Sequence, residues 1–146
     1  MIDRVLVVCE GNICRSPLAC AMLAASFPDI RFSSAGTHAL VGESADPHVL
    51  EMARERGVSL GDHVATALTG HEVNSADLIL TMTTAQREYI ECVWPSSRGK
   101  VYRLAENEGV DVVDPYRRHR AAFDLAFAQI EHGVAYWRGA LAGLAH

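Results

Sequence analysis

A chain of 146 residues, 49% apolar and 21% charged, has the size and composition of one globular domain, able to bury about 70% of its unfolded surface. No apolar run nears the roughly 20 residues of a membrane span, and the short apolar stretch at the N-terminus lacks the small-residue cleavage site of a signal peptide, so the expectation is a single cytoplasmic domain over residues 1–146. A net charge of −5 argues against a general nucleic-acid binder, and the spacing of Cys9, Cys14, Cys20 and Cys92, with no CxxC pair, argues against a zinc site and a disulfide scaffold.

The first element is the apolar run at residues 4–8, which predicts a buried strand. Directly behind it stands CEGNICRSP, and Pro17 opens a helix with Leu18, Ala21, Met22 and Ala25 on one face. A second strand is predicted over 30–33. Asp46 and Pro47 read as the N-cap and first residue of a helix carrying Val49, Met52, Ala53 and Arg56, closed by Gly57. A strand over 77–82, a helix over 84–93 and a strand over 100–104 follow. The last element is a helix over 121–144, with Phe123, Phe127, Ile130, Val134 and Trp137 at helical spacing. Strands alternating with helices predict an α/β fold: a single doubly wound sheet of about four parallel strands with helices on both faces. Such sheets bind ligands beyond the carboxyl ends of the strands, where the strand order reverses, and Cys9 falls there.

Between the first strand and the first helix, the amides of Glu10, Gly11, Asn12, Ile13, Cys14 and Arg15 can curl around one centre and form an anion site at a helix N-terminus. Gly11 permits a positive φ or a close backbone approach, and Asn12 is among the few other residues that tolerate the left-handed region. Arg15 supplies a planar fork that matches two phosphate oxygens. The same positive field is expected to keep Cys9 as a thiolate. Ser16 is placed either to donate to that sulfur or to cap the helix. A cysteine closing an apolar strand also reads as a small buried hydrophobe. The spacing Cys-x5-Arg-Ser weighs against that reading, because it gathers a nucleophile, an oxyanion cradle and a charge clamp at one point. The loop lacks the lysine of a Walker nucleotide-binding loop.

VCEGNICRSP resembles the signature of the low-molecular-weight protein tyrosine phosphatases, and the likeness continues through SSAGTHALVGESADP, GVSLGDHVA, ADLILTM, SRGKV and VDPYRRHR. The runs GTHALVG and DPYRR are most similar to bacterial members that act on tyrosine kinases governing exopolysaccharide or capsule export. The resemblance implies a flavodoxin-like, phosphotyrosine phosphatase I-like fold. It also implies hydrolysis of phosphotyrosine through a phosphocysteine on Cys9, with Arg15 as phosphate clamp, no cofactor and no metal. The seven histidines, His146 among them, are too scattered for recognisable ligand spacing.

Expelling a phenolate calls for a proton donor, and the chain offers two Asp-Pro pairs. Asp46 is explained as an N-cap. Asp114, in Asp-Pro-Tyr, is followed by Arg117, Arg118, His119 and Arg120 before the apolar pattern starts, which suggests a loop, and the resemblance makes it the general acid and base. By the same resemblance Ser34 and His63 brace Asn12, although each also reads as an ordinary turn or surface residue. Leu40 and Tyr116 are taken as walls for a flat ring, with Tyr116 equally readable as packing. Cys14 is either a partner for a reversible disulfide with Cys9 or a buried spacer. The chain departs from the family pattern at Glu10, where an apolar residue is usual, at Thr66, where an arginine is common, and after Tyr116, where no second tyrosine follows. The rival readings are arsenate reduction, for which the segment LTMTTAQREYIECVWP offers Cys92 alone; a non-catalytic phosphotyrosine-binding module; and a phosphatase of small esters. The expected partner is a phosphotyrosine protein, with inorganic phosphate as product.

Overall fold

The computed structural model describes residues 1–144; Ala145 and His146 lie outside the described residues. Four strands form one parallel sheet in the order β2-β1-β3-β4: β1 (Arg4–Cys9), β2 (Arg31–Gly36), β3 (Leu78–Thr81) and β4 (Val101–Arg103). Its two faces carry separate apolar clusters. Val5, Val7, Leu78 and Leu80 pack with α1 (Arg15–Ala24), α2 (Pro47–Glu55) and α5 (Arg120–Ala142). Leu6, Val8, Ile79 and Val101 pack with α3 (Gly70–Ser75) and α4 (Thr84–Val93). The central strands are buried on both faces, so they read as unbroken apolar runs rather than alternations. Each such Leu or Ile contributes about 1.5–3 kcal/mol by leaving water.

The α/β fold is as the sequence predicts, with differences of detail. Strand β2 runs on to Gly36 because Ser34, Ala35 and Gly36 pair with Val7, Val8 and Cys9, and a ladder beside β1 overrides weak strand propensity. Helix α1 begins at Arg15 rather than Pro17. Pro17 is then its third residue, where the missing N–H is one that has no intrahelical acceptor in any case. Helix α3 was not anticipated: it buries only Val73 and is started by a capping box between Thr69 and Glu72. Helix α5 stops at Ala142, short of Leu144, which is exposed.

Asp46 caps α2 through its carboxylate, which accepts from the His48 amide at 2.8 Å. Helix α5 is seated against the end of β4. A Cβ on Gly133 would come within 2.8 Å of the Leu104 carbonyl, and Trp137 Nε1 donates to that same oxygen at 2.9 Å. Among the described residues no helix is long and apolar enough to cross a membrane, and no group of three or more His, Cys, Asp or Glu side chains is gathered to hold a metal ion.

Candidate active site

From β1 the chain passes to β2 on one side, then crosses to β3 on the other, so the loops leaving the carboxyl ends of β1 and β3 diverge and leave a crevice. Cys9, the last residue of β1, stands at its floor, 2% exposed. The carbonyls of Cys9, Glu10, Gly11 and Ile13 are taken by the amides of Thr37, His38, Leu40 and Asp46 at 2.9–3.0 Å. With those carbonyls engaged, the amides of Gly11, Ile13 and Cys14 donate to no protein acceptor among the described residues, and they remain available to an anion.

Asn12 holds the loop together. It is fully buried and adopts φ 61°, so the left-handed residue of this loop is Asn12 and not Gly11. Gly11 keeps an ordinary φ, and a Cβ there would meet nothing closer than 3.8 Å, so the expectation of glycine freedom at that position is corrected. The reason is long-range bonding to Asn12. Its Nδ2 donates to Ser16 Oγ at 2.8 Å and to Ser34 Oγ at 3.0 Å, and its Oδ1 accepts from the Thr66 amide at 2.9 Å. His63 Nε2 donates to the Asn12 carbonyl at 2.7 Å; because a carbonyl only accepts, the ring proton sits on Nε2. Replacing Asn12 with alanine strands the partners of its side chain and puts a residue less tolerant of the left-handed region at φ 61°, so a loss of about 3 kcal/mol or more is expected in urea unfolding. Asn12→Gly should lose roughly 1 kcal/mol less, since it tolerates that φ.

The sulfur of Cys9 accepts from the Asn12 amide at 3.3 Å and lies 2.9 Å from Ser16 Oγ. Ser16 Oγ already accepts from Asn12 Nδ2, which frees its own proton for the sulfur. Of the two roles open to Ser16, the structure realises this one. Cys14 is the residue before α1, no side chain caps that helix, and Ser16 lies within its first turn.

Arg15, the first residue of α1, is 3% exposed. Its Nη1 donates to the Val112 carbonyl at 3.0 Å, and its Nη2 lies 3.6 Å from Asp114 Oδ2. The segment bearing Asp114 is itself anchored, since the Val112 amide donates to the Met82 carbonyl and the Val113 amide to Gln129 Oε1. Asp114 Oδ1 accepts from the Tyr116 amide at 3.1 Å, and its side chain is 40% exposed. Cys9, Gly11, Ile13, Arg15 and Asp114 line a cavity of about 240 Å3, walled by Leu40 and Tyr116.

Residue-type reasoning missed three contributors, all acting through the backbone. The Thr66 amide and the Val112 carbonyl are two. Gly36 is the third: it pairs with Cys9, and a Cβ there would run into the Glu10 carbonyl. It lies beyond the strand predicted over 30–33, so no glycine inside a predicted strand marked it. All four cysteines are free thiols. Burial, reinforced by Asp46 and Cys9, pushes the Cys14 thiol well above the usual thiol range, and burial pushes Cys20 up to about 12, so neither is ionised at neutral pH.

Residues 4–143 match the protein family described as low molecular weight phosphotyrosine protein phosphatase. The chain belongs to that family. This low molecular weight phosphatase is 47% identical over 137 residues, 94% of either chain, to a Ralstonia solanacearum protein described as a probable low molecular weight protein-tyrosine-phosphatase, EpsP. It is similar to the tyrosine phosphatase Wzb from Escherichia coli K30 in complex with sulphate, with a TM-score of 0.91, 34% identity and coverage of 97% of this chain and 99% of the other. It is similar also to Vibrio vulnificus Wzb in complex with benzylphosphonate, with a TM-score of 0.90, 34% identity and coverage of 95% and 99%. The low molecular weight phosphatase is therefore a protein-tyrosine-phosphatase, a hydrolase of phosphoric monoesters.

Proposed function

We propose that the enzyme hydrolyses phosphotyrosine in proteins through a phosphocysteine on Cys9. The observation that carries this is the sulfur itself. It accepts from the Asn12 amide and lies 2.9 Å from the Ser16 hydroxyl, at the base of a cavity that Arg15 and Asp114 line together with Glu10 and His38. Cys9 Sγ attacks phosphorus, the loop amides and the Arg15 fork hold the equatorial oxygens, and Asp114 gives its proton to the departing phenolic oxygen as the phosphorus–oxygen bond breaks. Water then attacks the phosphocysteine. Asp114 takes the proton of that water, the sulfur–phosphorus bond breaks, and inorganic phosphate leaves with the Cys9 thiolate restored. Electrostatics and positioning do the work in both steps.

Leu40 and Tyr116 would flank the phenyl ring, and a serine phosphate is too short to reach the base of the cavity while its chain stays outside those walls. Likeness to EpsP and to the Wzb proteins supports a substrate among bacterial tyrosine kinases linked to polysaccharide export. The reading is tested by comparing purified enzyme on matched phosphotyrosine and phosphoserine peptides and on arsenate with thioredoxin. Phosphotyrosine should be turned over at least about 100-fold faster than phosphoserine, a gap of ~3 kcal/mol. Equal rates on the two peptides, or arsenate reduction, would overturn it.

A further inference from the structure

The 240 Å3 cavity does not stand alone. A larger cleft of about 530 Å3 adjoins it and shares Glu10, Arg15, His38 and Asp114 with it, but takes in Gln86 and Tyr89 of α4 in place of Leu40 and Tyr116. A phosphorylated side chain seated over Cys9 would leave its own polypeptide beside this cleft.

The charged groups bordering the cleft are Glu10, Asp111, Asp114, Arg15 and His38. Arg15 and Asp114 face each other. Asp111 is held by Arg103 Nη1 at 3.1 Å and by the Thr84 amide at 3.0 Å. His38 Nδ1 lies 3.2 Å from Thr37 Oγ1, and its ring centroid is 6.3 Å from that of Tyr89, which is 41% exposed. Glu10 alone among these carboxylates has neither an ion-pair partner nor a side-chain hydrogen bond among the described residues, and it is exposed. Its position on the chain is fixed all the same, because its carbonyl accepts from the His38 amide at 2.9 Å. The cleft therefore presents one uncompensated negative charge next to a half-exposed aromatic pair. That combination suits a lysine or arginine, whose alkyl stem lies along rings while its charged head meets a carboxylate.

We infer that this cleft receives the substrate chain next to the phosphotyrosine and that Glu10 selects a basic side chain there. The inference rests on the phosphotyrosine reading and adds the substrate class to it. The test uses kcat/KM for phosphotyrosine peptides that differ only in carrying Arg, Ala or Glu at each of the two positions on either side of the phosphotyrosine. Wild type, Glu10→Gln and Glu10→Lys are compared, with each value divided by the same variant's value on 4-nitrophenyl phosphate to remove any effect on the phosphate loop. Wild type should favour Arg over Glu by about fivefold at one flank, the size of a solvent-exposed ion pair, and less so at high salt. Glu10→Gln should flatten that preference and Glu10→Lys should reverse it. Equal wild-type values for the Arg and Glu peptides, or a preference that survives Glu10→Gln, would overturn the inference. No turnover of 4-nitrophenyl phosphate by wild type would overturn the hydrolysis reading together with it.

Discussion

Cys9→Ser should lower the turnover of 4-nitrophenyl phosphate by roughly 10⁴-fold or more, because a hydroxyl at that position is a far weaker nucleophile than a thiolate and Cys14, the other thiol lining the cavity, is kept protonated by burial. The substitution is close to isosteric. Serine at 9 retains a partner in Ser16 Oγ, and the amides and Arg15 proposed to cradle the anion are untouched. Inorganic phosphate should therefore still raise the melting temperature of the variant, which separates a lost nucleophile from a lost fold. Turnover within tenfold of wild type would exclude Cys9 as the attacking group.

Asp114→Asn is expected to cost about 10²–10⁴-fold in kcat on phenyl phosphate, the usual contribution of a positioned proton donor. The effect should shrink as the leaving group improves, since a stabilised phenolate departs without a proton. A series of substituted phenyl phosphates would then give a markedly steeper dependence of rate on leaving group for the variant than for wild type. The asparagine oxygen can still accept from the Tyr116 amide, so the loop should keep its shape and unfolding midpoints should agree between the two proteins. Parallel dependences would remove Asp114 from the reaction.

The sheet and the helices α1, α2 and α5 were legible because each buries an apolar run or stripe, and hydrophobic periodicity reports burial. Helix α3 buries Val73 alone, so periodicity could not find it; the Thr69 and Glu72 spacing could have. In the candidate site, the residues proposed to carry chemistry in their side chains, Cys9, Arg15 and Asp114, stood out as types at a spacing. The parts that act through main-chain atoms did not. Any residue at 66 offers an amide and any at 112 a carbonyl, so Thr66 and Val112 leave no mark in composition. Which of Gly11 and Asn12 turns left-handed was likewise undecidable locally, since both tolerate it. Ser34, His63 and Thr66, all distant in the chain, decide it by bonding to the asparagine.

The Arg15 guanidinium is tethered to the Val112 carbonyl and almost wholly withdrawn from solvent. A long flexible cation usually surrenders about 2 kcal/mol of rotational freedom when it grips a ligand. Here that freedom is already gone once the chain has folded. On the proposed mechanism an arriving dianion thus meets a fork that needs no searching, and the site would work as a rigid mould instead of a closing hand.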